Sequence, residues 1–241
     1  MRQAQLPDEL FESAAGMAAA TNYADWTYSL FAPYVRGVVL EVGCGIGTFT
    51  RRLAAAPGVT QLLSIDISAP AVDRARAAVS SPVVEFRTAD VRAVSGSFDL
   101  VVCMNVLEHI EDHASALRHM LNLVAPGGTL FLLVPSHQWL YSSFDRESGH
   151  WRRYSKRDMT ALLADVTAGM RVRVRQFYFN TVGALGYGVV YKVLRKPGRA
   201  DAGTEIGWFD RLVVPIQRRL EGRFMPFGIS LVSIVTKDAA R

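Results

Sequence analysis

Apolar runs alternate with amphipathic stretches for most of the chain. Val38-Val39-Leu40 has the character of a buried strand, and Phe49–Ala56 opens a helix that Pro57-Gly58 closes. Gln61–Ile67 predicts a second strand ending in an acid, Asp66. A helix over Ala69–Val79 follows, ended by Ser80-Ser81-Pro82. Val83–Val91 predicts a third strand ending at Asp90. Phe98–Met104 is apolar without alternation, as in a central strand buried on both faces. His113–Val124 predicts a helix, and Pro126-Gly127-Gly128 turns the chain into a fifth strand over Leu130–Val134. This repeated strand–helix alternation predicts an α/β fold: an open, doubly wound, mostly parallel sheet with ligands at the carboxyl ends of the strands.

The flanks differ. Residues 1–36 predict an N-terminal helical cap, with Tyr23, Trp26, Leu30 and Phe31 at helical spacing. Such a stripe packs on the sheet, and Tyr23 could also cover a ligand. Arg171–Asn180 alternates basic and apolar positions, as in a half-exposed sixth strand, and Phe227–Thr236 predicts the last strand. Roughly 45 residues separate these two, far more than a hairpin needs. Residues 181–226 therefore form an insertion. It reads as an apolar helix over Gly183–Lys196, a break at Pro197-Gly198, and an amphipathic helix over Trp208–Glu221. A lid over an acceptor ranks first for it, a homodimer interface second and membrane-surface contact third.

Composition narrows the class. The chain has 241 residues, read as a single domain over 1–241, with a formal net charge of +5. That excess suits an acidic substrate, a nucleic acid or an anionic surface without choosing among them. Cys44 and Cys103 both fall inside apolar segments, and neither has metal-like spacing, so neither a metal site nor a disulfide framework is expected. Residues 1–12 lack the layout of a secretory signal, and no uncharged apolar run reaches the length of a spanning helix. The expected compartment is the cytoplasm.

The chemistry concentrates in Glu41-Val-Gly-Cys-Gly-Ile-Gly-Thr-Phe-Thr50, a glycine turn between strand and helix. Gly43, Gly45 and Gly47 stand as G-x-G-x-G rather than the dinucleotide spacing G-x-G-x-x-G, and an acid, Glu41, precedes them. A helix N-terminus beyond the turn points free N–H groups at whatever the turn holds. Asp66, one βα unit later, is placed to accept both hydroxyls of a ribose. Glycine turn, Asp66, Asp90 and the run Phe98–Ile110 together resemble the class I S-adenosylmethionine (SAM) methyltransferases, strongly over about residues 20–136.

That resemblance implies a seven-stranded Rossmann-like sheet with an antiparallel last strand. It also implies SAM as cofactor. Glu41, Gly43, Gly45 and Gly47 would hold its amino-acid half, Asp66 and Ile67 the ribose, and Ala89, Asp90 and Val91 the adenine. Asn105 and His109 would line the pocket, under Tyr23. The implied activity is methyl transfer to an O or N nucleophile of a small molecule with an anionic group, a natural-product or cell-envelope intermediate. Alternatives are a non-methylating SAM-binding enzyme (a cyclase or decarboxylase) and a nucleic-acid methyltransferase. For the latter the chain lacks an appended binding module, and nucleic acid is not the expected partner.

The stretch Pro135–Ser155 is dense in His, Arg, Tyr and Trp at the ligand edge, and resembles a bacterial branch of the same family in Phe144-Asp145 through Gly149-His150-Trp151-Arg152-Arg153-Tyr154. His150 and, nearer the strand, His137 are candidate bases. Arg152 and Arg153 could fork a carboxylate or phosphate, with Tyr141, Tyr154 and Tyr178 as further acceptor contacts. The competing reading is a loop-ordering network of Asp145 with the arginines and His150 inside it. Ser155 caps the next helix, with Asp158 in a capping-box position.

Overall fold

The computed structural model describes residues 20–189, 207, 209–221 and 226–239. The strands are β1 (Gly37–Val42), β2 (Val59–Asp66), β3 (Val84–Thr88), β4 (Phe98–Met104), β5 (Val124–Pro135), β6 (Val172–Phe179) and β7 (Ser230–Lys237). They form one sheet in the order β3-β2-β1-β4-β5-β7-β6. The pairs from β3 to β5 are parallel, and β7 runs antiparallel to both β5 and β6. The order reverses at β1 and β4, so the turns after these strands flank the crevice where such sheets bind ligands.

Alternation along the strands sorts the core into two layers. Leu40, Val101, Cys103, Leu130 and Leu132 face α4 (His113–Leu123) and α6 (Lys156–Val166), which contribute Leu117, Met120, Leu121 and Leu163. Val39, Leu100, Val102, Phe131 and Leu133 face the other way, against Trp26 and Phe31 of α1 (Thr21–Phe31), Leu53 of α2 (Thr50–Ala54) and Val214 of α8 (Val214–Leu220). The aromatic stripe of the cap is thus a packing stripe: Trp26 lies 4.3 Å from Phe179 and Phe31 lies 4.7 Å from Phe131, ring centre to ring centre. α3 (Ala69–Ala78) lays Val72 and Ala75 against Cys44 of the glycine turn.

Several local expectations change. Pro126-Gly127-Gly128 does not sit outside the sheet; β5 runs through it, and the register with β4 shifts between Phe98 and Leu100. The Pro135–Ser155 stretch is not all loop, since α5 (Ser143–Glu147) forms there, with Asp145 Oδ2 accepting from the Ser142 amide at 2.9 Å. The first insertion helix begins earlier, as α7 (Thr181–Tyr187), capped by Asn180 at φ 64°. Its expected continuation over 190–196 lies outside the described residues, as do residues 1–19 of the cap. The second helix divides into a π-helical turn over Phe209–Val213 and then α8. Pro215 in the first turn of α8 lacks the N–H that would continue a regular helix from Phe209. Among the described residues, no helix is long and apolar enough to cross a membrane.

Candidate active site

The carboxyl ends of β1, β2 and β3 are tied into one rim. The Gly43 and Cys44 amides donate to Ile65 O at 2.8 and 2.9 Å. Asp66 then joins three segments. Its Oδ2 accepts from Gly45 N at 3.0 Å and its Oδ1 from Ser68 N at 2.9 Å, while its own carbonyl accepts from Ala89 N at 2.9 Å. Gly45 is at φ 52°, with nothing within 4 Å of where a Cβ would stand. The turn therefore has a left-handed backbone and an open face toward the rim, as a ligand in close approach requires. Ile67 is 71% exposed beside Asp66, an apolar flank suited to an aromatic base or sugar face. On the β4 side, Asn105 stands exposed at φ 53° with its amide on Leu133 O. An open left-handed turn, an acid and an exposed apolar side chain on one rim fit an amino-acid tail, a ribose and a purine.

The other residues expected here fall into different environments. The Glu41 carboxylate is buried beneath the turn, accepting from Thr50 Oγ1 at 2.6 Å and Ser64 Oγ at 2.8 Å. Burial pushes its carboxyl up to about 7 against those two hydrogen bonds. Asp90 caps the short turn Val91–Ala93 and pairs with Arg92, whose Nε lies 2.9 Å from Oδ1. The Val91 side chain is in the core, leaving its backbone at the rim. The Tyr23 amide donates to Asp210 Oδ1 at 2.8 Å, and its ring lies 5.8 Å from Phe179.

The acceptor side is organised by Asp145, which is fully buried. Arg153 Nε and His150 Nδ1 each lie 2.8 Å from Oδ1, and Tyr187 Oη donates to Oδ2 at 2.8 Å. Burial disfavours the charge, yet the bonds from His150 and Arg153 and the Arg153 charge hold this carboxyl well below the usual range. Arg152 and Arg153 do not make the expected fork, because successive residues of an extended segment point to opposite sides. Arg152 donates to Ile110 O and Glu111 O, whereas Arg153 is buried over the Tyr187 ring. Tyr154 is buried as well, its hydroxyl 3.0 Å from His113 Nδ1 and donating to Leu107 O. Of the expected acceptor contacts, the structure therefore gives Arg152, Arg153 and Tyr154 intramolecular partners. Tyr141 Oη bonds His150 O, and Tyr178 accepts from Lys156 N.

His137 is at φ 60°, stacked on Tyr178 at 4.6 Å, and its Nε2 is buried without a hydrogen-bond partner. Burial and the Arg153 charge hold its pKa below the ordinary histidine value. His150 meets His109 edge to face, with ring centres 4.6 Å apart. Beside them Glu108 is fully buried with neither carboxylate oxygen hydrogen-bonded, and burial pushes its carboxyl up to about 8. Sequence reasoning did not single out Tyr187 or Asp210, whose partners lie 42 and about 188 positions away. The Ser142-x-x-Asp145 spacing was the one local signal for α5.

A methyltransferase-domain family model matches residues 17–167. The rim, the strand order and this match place the chain in the class I SAM-dependent methyltransferases. Within that family it is 39% identical over 100 residues to the ubiquinone biosynthesis O-methyltransferase of Xanthomonas campestris pv. campestris, covering 39% of this chain and 41% of that protein. It is 38% identical over 118 residues to an uncharacterized methyltransferase of Mycobacterium tuberculosis, covering 48% of this chain and 59% of the other. The matched stretch thus spans about half the length of these relatives. Among solved structures, a SAM-dependent methyltransferase from Mesorhizobium loti superposes with a TM-score of 0.59 at 18% identity, over 89% of this chain and 98% of that one. The plantazolicin methyltransferase BpumL, in complex with S-adenosylhomocysteine, gives a TM-score of 0.60 at 13% identity over 97% and 91%.

Proposed function

We propose that this chain transfers the methyl group of SAM to an oxygen or nitrogen nucleophile of a small molecule carrying an anionic group, of natural-product or cell-envelope origin. The single observation that carries the reading is Asp66, which fastens the Gly45 amide, the Ser68 amide and the Ala89 amide into one rim. SAM supplies the electrophilic methyl sulfonium, so the protein's share of the work is alignment and exclusion of water. The turn at Gly45 with Glu41 beneath it holds the amino-acid half, Asp66 and Ile67 the ribose. Ala89, Asp90 and Val91 take the adenine, and Asn105 and Tyr23 close the pocket.

The acceptor lies across the ends of β4 and β5, beside α7, whose Tyr187 reaches the Asp145 loop. The name of the Xanthomonas relative favours an oxygen nucleophile. Tyr141 and Tyr178 are the acceptor contacts, their hydroxyls also bonding His150 O and Lys156 N, while Arg152, Arg153 and Tyr154 hold the loop together. His137, neutral and with one unbonded ring nitrogen, is the imidazole best placed to take a proton from a hydroxyl acceptor once the rings around it part.

Asp66→Ala is expected to weaken SAM binding by about 10- to 100-fold, the effect of losing hydrogen bonds to a charged acceptor. Calorimetry on the folded variant reads it, and unchanged affinity would remove Asp66 from the ribose site. Appearance of S-adenosylhomocysteine in step with a product 14 mass units heavier separates methyl transfer from a cyclase or decarboxylase that keeps SAM intact.

A further inference from the structure

Glu108, His109 and His150 come together although 41 positions separate the two histidines. One ligand atom from each, a carboxylate oxygen and two imidazole nitrogens, lies within 4.8 Å of the others. Two features set this cluster apart from a chance meeting of polar groups. The Glu108 carboxylate is fully buried, faces the two rings and has no hydrogen-bond partner at either oxygen. Such an orphaned pair of acceptors is costly as a carboxylate, and either a proton or a cation beside it relieves the cost. One ring also has its other side fixed. His150 Nδ1 is bonded to Asp145 Oδ1 at 2.8 Å, which leaves Nε2 as the nitrogen that can ligate. His109 meets it edge to face, with Nδ1 on the Gly149 side. A carboxylate behind an imidazole is the arrangement that orients a metal-ligating histidine.

We propose that Glu108, His109 and His150 form a binding site for one divalent first-row transition-metal ion, with Asp145 as the residue that positions His150. One carboxylate and two imidazoles suit zinc, cobalt, iron or manganese better than magnesium or calcium, which prefer oxygen ligands throughout. Ligands about 2.0–2.2 Å from such an ion stand roughly 3.3 Å apart in a tetrahedron, so the three groups must close in by on the order of 1 Å. His150 keeps 12% of its side chain exposed and marks the way in. Three protein ligands leave at least one coordination position for water or an acceptor hydroxyl. This gives His150 a ligand's role in place of a base's. The hydroxyl as occupant rests on the methyl-transfer reading; the metal site itself does not.

The test uses the untagged full chain, stripped of metal and titrated with Co²⁺ and, in separate runs, Zn²⁺ against a chromophoric chelator. The expected result is one ion per chain, with Co²⁺ giving a visible spectrum of low coordination number, and no comparable uptake of Mg²⁺. His109→Ala and His150→Ala should each weaken Co²⁺ binding at least tenfold, Glu108→Gln likewise, and Asp145→Asn should shift both affinity and spectrum. If Glu108→Gln or Asp145→Asn fails to fold, the two half-buried histidine variants carry the test, with circular dichroism confirming their folds. Absence of stoichiometric uptake by the wild-type chain, or uptake by both histidine variants as tight as by the wild type, overturns the site. SAM affinity measured on the stripped protein stands apart: it can survive loss of the metal site, and its loss would count against the cofactor rim alone.

Discussion

At the residue scale, Glu41 shows how a burial environment redirects a side chain that sequence spacing puts beside a ligand. Its carboxylate sits under the glycine turn on Thr50 and Ser64, two hydroxyls that can donate to a neutral or a charged acceptor. With a carboxyl near 4.5 in the unfolded chain and near 7 in the fold, the native state holds an extra proton between those values. Stability from this group is therefore complete below the unfolded value and is lost as pH rises through about 7. The full effect is on the order of 3 kcal/mol. Glu41→Gln keeps an acceptor for both hydroxyls and should remove that share of the fall, seen as a flatter unfolding free energy in urea melts from pH 4.5 to 8. An undiminished fall would mean that Glu41 is ionised throughout in the native state.

At the scale of elements, α1 and the described part of the insertion are one assembly. α1 begins at Ala20, which has no side chain to cap the helix. Asp210, in the π-helical turn, supplies the cap from about 190 residues away: Oδ2 accepts from Asn22 N at 3.1 Å and Oδ1 from Tyr23 N at 2.8 Å. The Asn22 side chain returns a bond to Asp210 O. Asn180 binds the same region from below, its side chain accepting from both Gly183 N and Gln217 Nε2. Asp210→Ala is expected to cost about 1 kcal/mol, the usual effect of losing a helix cap. Hydrogen exchange should report faster exchange at the Asn22 and Tyr23 amides, with the sheet unaffected. Unchanged exchange there would mean that water caps α1 as well as Asp210 does.

At the scale of the molecule, much of the positive charge among the described residues is neutralised in place, though Arg173 and Arg175 stand exposed on β6. Arg52, Arg76, Arg87, Arg92 and Arg118 each pair with a nearby carboxylate, and Arg153 is buried against Asp145. A nucleic-acid enzyme needs unpaired cations along one face. Two exposed arginines on one strand, one of them 3.8 Å from Asp238, fall short of that, so neither transfer RNA nor duplex DNA is expected to shift in a gel at physiological salt. A retarded band that weakens steeply as salt rises would reverse that conclusion.

The strands, their order of appearance and the glycine turn were legible because they depend on local periodicity and on backbone conformations that few residues adopt. Gly45, Asp66 and Asp90 could be put at one edge from the sequence because each falls at or just past the end of a strand in successive βα units, and the parallel sheet brings such ends together. Contacts between distant segments carry no such mark. Nothing local announces that Asp145 will bury Arg153, that Asp210 will cap α1, or that Glu108 will face His150. Those pairings follow from how the loops after β4 and β5 and the described part of the insertion pack together, where a buried charge must take whatever partner the packing offers. The sequence by itself determined the scaffold and its ligand edge; the tertiary structure alone decided which polar side chains stay available there and which are spent holding the edge together.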